Sequence, residues 1–392
     1  MTAFGSRLGY DASVHRTAII TVALTALVAG VSLGWVDVRE ERAFRLLIAD
    51  GDRAAASGRH VEAVEAFSGA IALKPESMLA YLKRGDTYRR RGDVNAALRD
   101  LTQATTLDAT APQPIERLGD VYAATGQHAR AAELYGRYLA LDDGSAPVLY
   151  KLGLAYYRAG RLADAMEPLQ QALAIDGTLI EAHYVLGMTH RAAGRHDEAV
   201  AALMRVLELN PAFAPGREEL ADLLADIGRR RDGIEQLEAL AALEPIRPER
   251  LVSVGLAYSR LQRHESAILT LNRAAERHPG SPLVGVALGE AWLAMAESGT
   301  GVDHLAVRRA LTTLEPAAHE PNPSSRTLTL YGRALLMTGN ATASEQTLQQ
   351  AVRRLPVSPD AFRYLADAAA RLGHHALARQ AQDSFARLCG RW

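Results

Sequence analysis

Glycine recurs every 34 residues along most of this 392-residue chain, and that spacing constrains the fold more than any other feature of the sequence. The first series is Gly51, Gly85, Gly119, Gly153, Gly187, Gly255 and Gly289, and Ala221 fills its gap. A second series follows seven residues behind: Gly58, Gly92, Gly126, Gly160, Gly194 and Gly228. Alanine forms a third series: Ala63, Ala97, Ala131, Ala165, Ala199 and Ala267, with Gly233 in its gap. Self-similarity at a fixed period indicates stacked repeats, and such arrays bind other molecules on their faces.

Each repeat has the residue pattern of two helices. Leu149, Leu152 and Tyr156 lie three or four positions apart, which places them on one helix face. Gly153 lies within that helix, where glycine costs roughly 0.5–1 kcal/mol relative to alanine. We therefore expect a neighbouring helix to approach too closely for a side chain there. Gly160 follows, as expected of a glycine that ends a helix in the left-handed conformation.

A second helix follows within the same repeat. Ala165, Leu169, Ala172 and Ile175 share one of its faces, and the two small residues again permit close helix contact. Proline cannot continue a helix. It closes several of the repeats, at Pro75, Pro211, Pro245, Pro279 and Pro356.

This register of apolar, glycine, alanine and proline residues resembles the tetratricopeptide repeat family. A tyrosine also follows the first glycine by three residues at Tyr88, Tyr122, Tyr156 and Tyr258. The resemblance covers residues 44–392 and implies an all-α superhelical solenoid of about ten helix-turn-helix repeats. We place the repeats at 44–77, 78–111, 112–145, 146–179, 180–213, 214–247, 248–281, 282–324, 325–358 and 359–392.

Three repeats depart from the pattern. Repeat eight has 43 residues instead of 34, and the excess is expected near 298–301. Repeat seven has Gln262 where the helix-ending glycine is expected. The last repeat has Gln382 at a position that is apolar elsewhere, as expected of a terminal repeat whose outer face contacts water.

Composition narrows the classes of function. The chain is 48% hydrophobic, which is ample for a long continuous core, and its formal net charge is −1. Near-zero net charge argues against general nucleic-acid binding, for which a basic stripe and a high isoelectric point are expected. The single cysteine, Cys389, can form neither an internal disulfide nor a multi-cysteine metal site.

The N-terminal region differs in kind from the repeats. Residues 18–36 are 19 positions without a charge, long enough as a helix to cross a hydrocarbon core of ~30 Å. We interpret 1–17 as a short tail, 18–36 as a transmembrane anchor and 37–43 as a linker. A cleaved secretory signal is an alternative, because Ser32–Gly34 offers a small-x-small site; a buried or amphipathic helix is another. Arginines flank both ends of the span, and we favour an inner-membrane protein with its repeats outside the cytoplasm.

No residue pattern points to catalysis, a metal or another cofactor. The sequence lacks a G-x-S-x-G elbow, a phosphate loop and an H-E-x-x-H motif. The repeats occupy 44–392, so we expect no catalytic domain there. His183 and His190 stand where sister repeats carry core residues. Five other histidines share one position, in the turn between the two helices, where we expect a structural role: His60, His128, His196, His264 and His375.

The family resemblance also implies a concave groove lined by the first helix of each repeat. Positions two, five, six, nine, twelve and thirteen of the repeats are expected to face it. The candidate partner-binding residues of repeats two to five are Lys83, Arg117, Tyr150, Lys151, Tyr157, Arg158, Tyr184 and Arg191. Repeat six is acidic at these positions, with Glu218, Glu219, Asp222 and Asp226. Repeats seven and eight are apolar, with Val252, Leu256, Val286 and Leu293.

Acidic residues along the same helices can neutralise some of these bases. Asp86 lies three residues after Lys83, and Asp120 lies three residues after Arg117, within reach along one helix. Family members that hold a terminal carboxylate use an asparagine at this position, whereas repeats one to three carry aspartate here.

Lys151 has Leu154 at the corresponding position and therefore no such partner along its helix. We expect Lys151, Arg158 and Arg191 to form an unpaired basic cluster among tyrosines, a composition common in binding hot spots. Such a cluster favours an acidic or C-terminal carboxylate-bearing segment.

The sequence thus predicts a non-enzymatic scaffold or assembly factor of a bacterial cell envelope, which binds a protein segment or helix in the groove. Two alternatives stay open. The chain could be a regulatory or accessory subunit of an envelope enzyme or of a polysaccharide or secretion machine. With the opposite membrane orientation it would be a cytosol-facing adaptor.

Overall fold

The computed structural model describes residues 38–299 and 301–389. Within these ranges every regular element is helical and no β-strand occurs, which confirms the predicted fold class. The predicted anchor at 18–36 lies outside the described residues. Of the helices that are described, none combines the length and the apolar run needed to cross a membrane.

The chain divides into two compact units, Met1–Thr189 and His190–Trp392. The helices of the N-terminal unit are α1 (38–56), α2 (His60–Leu73), α3 (Met78–Arg91), α4 (Val94–Leu107), α5 (Pro112–Ala124), α6 (His128–Leu139), α7 (Ala146–Arg158) and α8 (Leu162–Ile175). Helix α9 (Ile180–Ala192) spans the division. The helices of the C-terminal unit are α10 (His196–Leu209), α11 (Ala214–Asp226), α12 (Arg230–Leu243), α13 (Pro248–Arg260), α14 (His264–Arg277), α15 (Pro282–Ala296), α16 (His304–Ala318), α17 (Ser325–Met337), α18 (Ala341–Ala351), α19 (Pro359–Arg371) and α20 (His375–Cys389).

Consecutive helices pack as the repeat register predicts. The two helices of one repeat contact each other, as α3 does with α4 and α15 with α16. Within each unit the second helix also contacts the first helix of a following repeat, as α4 does with α5 and α14 with α15. One boundary differs from the sequence analysis. Residues 38–43, expected to be a linker, belong to α1, so this helix is longer than the first helix of the other repeats.

The first glycine series marks the closest approach of the two helices of a repeat. A Cβ on Gly153 would lie 2.5 Å from Cγ of Leu169 and 3.2 Å from the carbonyl oxygen of Ala165. Equivalent close contacts occur at Gly51, Gly85, Gly119, Gly255, Gly289 and Gly332. The side chain sixteen residues after the glycine, Leu169 in this repeat, fills the space that the missing Cβ leaves. The predicted reason for a glycine inside the helix is therefore confirmed.

The second glycine series ends the first helix of each repeat in the left-handed region. Gly160 has a φ of 75° and no atom within 4 Å of an added Cβ, so conformation alone favours glycine there. Gln262, which replaces that glycine in repeat seven, keeps the same region with a φ of 58°. A non-glycine residue in this region costs roughly 1–2 kcal/mol.

In repeat six, glycine and alanine are interchanged at the two positions where its helices meet. Ala221 stands at the glycine position of α11, and Gly233 stands at the alanine position of α12. A Cβ on Gly233 would lie 3.0 Å from the carbonyl oxygen of Ala221. Because Ala221 carries a Cβ, Leu237 cannot occupy the space that Leu169 fills in repeat four. Leu237 is partly exposed, whereas Leu169 is fully buried.

Repeat eight distributes its additional residues over several places. Its helices, α15 and α16, have 15 residues each. Residues 297–303 connect them, and residues 319–324 lead to the next repeat. The Asp303 side chain accepts hydrogen bonds from the backbone N–H groups of Leu305 and Ala306 and so caps α16. Only part of the excess therefore lies near 298–301, where the sequence analysis placed all of it.

Gly153→Leu is expected to lower the free energy of unfolding by roughly 2–4 kcal/mol, at or above the usual range for overpacking, because Leu169 and the α8 backbone must move. Denaturant unfolding followed by circular dichroism measures the change. The matched control is Gly136→Ala in α6, where the glycine is exposed and an added Cβ meets no atom within 4 Å. That substitution should raise the free energy of unfolding by roughly 0.5–1 kcal/mol. An unchanged unfolding midpoint for Gly153→Leu would show that α7 and α8 do not meet at this residue.

Candidate functional site

Ion pairs on the first helices of the N-terminal unit connect repeats one to four, each to the next. An aspartate at position nine of one repeat faces a base at position six of the following repeat, a spacing of 31 residues. We call these contacts the inter-repeat ion pairs. They are Asp52 with Lys83 (Oδ1–Nζ, 2.6 Å), Asp86 with Arg117 (Oδ1–Nε, 3.9 Å) and Asp120 with Lys151 (Oδ1–Nζ, 2.8 Å).

Lys151 is therefore not the unpaired base that the sequence analysis predicted. Its Nζ also lies 2.6 Å from Oε1 of Glu116. The side chains of Glu116 and Asp120 are only 18% and 16% exposed, which strengthens their attraction to the lysine. Along α7 the position that could pair with Lys151 holds Leu154, which cannot bind a cation. The partner lies one repeat earlier, and the aspartate that recurs at position nine was the available signal.

The other two bases of this series, Lys83 and Arg117, are also paired with carboxylates. Lys83 pairs with Asp52 of the preceding repeat. The expected pairing of Lys83 with Asp86 along α3 does not form, because Asp86 pairs with Arg89 and Arg90 instead. Arg117 lies 3.3 Å from Asp120 on its own helix, which confirms the predicted pairing for this residue. Both bases are therefore neutralised within the N-terminal unit.

Asp86 is the most heavily paired carboxylate of the series. It accepts hydrogen bonds from Arg89 at 2.7 Å and from Arg90 at 2.8 Å. Burial acts to raise the pKa of Asp86, but the hydrogen bond from Arg89 and the charges of Arg89, Arg90 and Arg117 outweigh it and leave the pKa below its ordinary value. The stabilisation from this group is present above the unfolded pKa of about 3.9 and is lost as the pH falls through the lower folded pKa.

The predicted tyrosines lie partly inside the core of the N-terminal unit. Tyr150 and Tyr157 pack beside the buried Leu169 and its neighbours. Burial, together with the charge of Glu181, raises the pKa of Tyr150. Tyr184 is half-buried. Arg158, in contrast, is exposed at the end of α7, and it has no ion-pair partner in the part of the chain that the structure describes.

Arg191 is held by the acidic residues of repeat six. Its Nη1 lies 2.7 Å from Oε1 of Glu219, and its Nη2 lies 2.5 Å from Oδ2 of Asp226. The expectation that Arg191 is unpaired is therefore wrong, for the same reason as for Lys151: the acids belong to a neighbouring repeat. Of the three bases expected to be unpaired, Arg158 alone fits. Whether these residues contact a partner stays a prediction.

Two predicted core histidines lie in α9. His190 is buried, as expected for a core substitute, and burial lowers its pKa. His183 is partly exposed, and its Nε2 lies 3.1 Å from the carbonyl oxygen of Gly177. Over the described residues, no group of three or more histidine, cysteine, aspartate or glutamate side chains is arranged to hold a metal ion.

Three clefts adjoin one another in the C-terminal unit, along the face formed by its first helices. The repeat-six cleft (about 280 Å³) is lined by residues that include Asp222, Arg230, Gly233, Leu237, Leu256 and Arg260. The apolar cleft (about 370 Å³) is lined by residues that include Val252, Leu256, Leu283, Val286, Glu290 and Arg326. The arginine cleft (about 460 Å³) is lined by residues that include Glu290, Arg326, Thr329, Arg333, Ser358 and Tyr364.

These clefts are joined by shared lining residues, and we call the three together the C-terminal groove. Leu256 lines both the repeat-six cleft and the apolar cleft, and Glu290 and Arg326 line both the apolar cleft and the arginine cleft. The segment 319–324, part of the enlargement of repeat eight, supplies one wall of the apolar cleft. Sequence reasoning placed apolar residues here but did not identify the arginine cleft.

Leu293 is the exception among the apolar residues expected to face the groove. It is fully buried and packs with Leu314 of α16 and Leu330 of α17. This side chain therefore belongs to the core of the enlarged repeat and does not line the groove.

Comparison with known proteins agrees with the helix pairing. The family model described as "Tetratricopeptide repeat" matches residues 48–113, 218–282 and 329–390. A model described as "Anaphase-promoting complex, cyclosome, subunit 3" matches residues 119–206. The chain belongs to the tetratricopeptide repeat family. Proteins of this family serve as protein-interaction scaffolds, and the repeat fold is generally non-enzymatic.

Individual relatives match only parts of this tetratricopeptide array. Tetratricopeptide repeat protein 36 of Xenopus tropicalis is 47% identical over 62 residues, which is 16% of this chain and 31% of that protein. Small glutamine-rich tetratricopeptide repeat-containing protein 2 of Mycosarcoma maydis is 29% identical over 89 residues, 23% of this chain and 25% of that protein. The match thus spans less than a third of either relative. The crystal structure of the C-terminal part of a tetratricopeptide protein from Cytophaga hutchinsonii has a TM-score of 0.53 at 19% identity, covering 62% of this chain and 99% of that one, and shares the fold.

Lys151→Gln and Arg158→Gln are expected to differ in their effect on stability. Lys151→Gln leaves two largely buried carboxylates without their shared cation, so the free energy of unfolding should fall by about 1–3 kcal/mol. Arg158→Gln changes an exposed, unpaired side chain and should stay within ~0.5 kcal/mol of the wild type. Denaturant unfolding of both variants provides the measurement. Equal stabilities would mean that Lys151 is not held by Glu116 and Asp120.

Proposed function

We propose that this protein is a non-enzymatic scaffold that holds a partner protein by a segment laid along the C-terminal groove. The observation that carries the proposal is the continuity of the three clefts through Leu256, Glu290 and Arg326. An extended polypeptide or a helix needs such a continuous surface, with apolar pockets for anchor residues and polar groups between them.

The C-terminal unit suits this role better than the N-terminal unit. Its groove contains apolar side chains that water reaches, such as Leu283, which is 44% exposed, and the partly exposed Val286. Contact with a partner would remove these groups from water, which stabilises a complex. In the N-terminal unit a partner would have to compete with the carboxylates that already hold Lys83 and Lys151. Arg158 remains a candidate second contact there.

Site-specific photo-crosslinking in cells tests the groove. A photoreactive phenylalanine analogue replaces Leu283 in one variant and Val286 in another. The matched control position is Leu269 on the second helix α14, which is 57% exposed and lies outside the groove clefts. Both groove positions should form covalent adducts with the same protein, and the control should not. Adducts that form equally at Leu269, or no adduct at either groove position, would contradict the proposal.

We further propose that residues 18–36 anchor the scaffold in the cytoplasmic membrane of a bacterial cell, with the repeats on the outer side. The support is the run of 19 residues without a charge in the sequence. Deletion of residues 1–36 should move the protein from the membrane fraction to the soluble fraction, and protease added to spheroplasts should digest the repeats of the full chain. Full-length protein in the soluble fraction would contradict the anchor, and protection from protease in spheroplasts would reverse the orientation.

A further inference from the structure

Repeat six leaves partly exposed a side chain whose counterparts in the glycine-containing repeats are buried. In the glycine-containing repeats the side chain sixteen residues after the glycine, or its counterpart in repeat eight, covers that glycine and is fully buried, as Leu271 and Leu314 show. In repeat six, Ala221 occupies the glycine position, and its Cβ takes the space into which this large side chain packs in the other repeats. Leu237 is consequently partly exposed and lines the repeat-six cleft together with Gly233, which contributes no side chain.

The cleft is large enough for one bulky side chain. It has a volume of about 280 Å³ and lies between α11, α12 and α13. A cavity of roughly 150 Å³ holds a benzene ring, so an aromatic or branched aliphatic side chain fits. Much of the lining is apolar, including Ile234, Leu237 and Leu256. Removing an apolar side chain from water in such a site is favourable.

Two arginines line the same cleft without partners. Arg230 begins α12 and Arg260 ends α13, and both are exposed. Neither has an ion pair or a hydrogen bond within the described part of the chain. The third arginine of the lining, Arg250, is already held by Glu244 at 2.5 Å and by Glu218 at 3.1 Å. Available positive charge therefore lies beside an apolar cavity.

The carboxylates of the lining do not cancel this charge. Glu218 is engaged by Arg250. Asp222 has no ion pair in the described residues, so the lining has one carboxylate and two arginines that are without an ion pair. The unpaired charge of the lining favours an acidic ligand over a basic one.

We propose that the repeat-six cleft is a specificity pocket, which takes one bulky apolar side chain of the bound segment while Arg230 and Arg260 bind an acidic residue beside it. This inference rests on the proposed function, because it assigns the partner chemistry at one point of the C-terminal groove. The partner is thus a polypeptide in which a large apolar residue and an aspartate or glutamate are close together.

Display of random short peptides on phage, selected against the full-length protein in detergent, tests this chemistry. The expected consensus pairs a leucine or an aromatic residue with an aspartate or glutamate at most a few positions away. Selected peptides should bind the double variant Arg230→Gln/Arg260→Gln at least about tenfold more weakly, since charge-assisted hydrogen bonds are lost. The matched control is Arg273→Gln on α14, an exposed arginine outside the three clefts. It should leave affinity unchanged.

A second pair of variants closes the pocket. Ala221→Gly/Gly233→Ala restores the glycine and alanine found in repeats one to five and seven, so Leu237 should move onto the glycine and fill the space. The same peptides should then lose at least about tenfold in affinity while the melting temperature stays at or above the wild-type value. Ala225→Trp places a large side chain at an exposed position of the lining and gives the same outcome if the double variant folds poorly.

The outcomes separate this inference from the proposed function. Peptides that bind the closed-pocket variants as well as the wild type, or a consensus without acidic residues, would overturn the pocket and leave the scaffold in place. A selection without any consensus would also overturn the pocket. The scaffold itself is tested separately, by the crosslinks at Leu283 and Val286 and by their control at Leu269, whatever the peptides show.

Discussion

The closest approach of the two helices within each repeat is the contact on which the remaining structure depends. At Gly153 there is no room for a Cβ, because Leu169 and the backbone at Ala165 already occupy the space. Such an interior is close-packed, and a single added methyl group must displace neighbours. The same geometry recurs at Gly119 and Gly255, which Tyr135 and Leu271 contact as Leu169 contacts Gly153. One small residue and one large residue thus fix the separation of the two helices, and the repeat period carries that separation along the chain.

The fixed separation also brings charges of neighbouring repeats together. Because first helices follow one another at a constant period, an aspartate at position nine meets the base at position six of the next repeat, as Asp120 meets Lys151. Exposed ion pairs contribute about 0–1 kcal/mol each, but removing one partner from a largely buried group is more costly. The loss of one partner therefore costs more stability than the intact pair contributes, and the intact pairs also hold Lys83, Arg117 and Lys151 in place. They also leave the N-terminal unit fewer charges with which to attract a partner.

Sequence alone predicted what depends on spacing within one repeat. The helices, their glycine ends and the enlarged repeat eight all follow from local pattern, and even Gln262 keeps the left-handed conformation that its position demands. Sequence alone did not predict the contacts that a side chain makes outside its own helix. The partners of Lys151 and Arg191 lie in neighbouring repeats, and Leu293 turns into the core because α16 and α17 surround it. The groove positions of a single helix cannot reveal such contacts, since these depend on how adjacent repeats stack.

Departures from the repeat pattern carry more information about binding than the pattern itself. A regular repeat fills its own core, so the large side chain that packs on its glycine is buried beneath the groove. In repeat six the exchange of Ala221 and Gly233 leaves Leu237 partly exposed in the cleft. Repeat eight adds the wall at 319–324. Both changes lie in the C-terminal unit, and both line the same groove through Leu256. Neither change is needed for stacking, because the other repeats stack without it. Under the proposed function, both changes provide space for groups of a partner, bounded by apolar surface and, in repeat six, by Arg230 and Arg260.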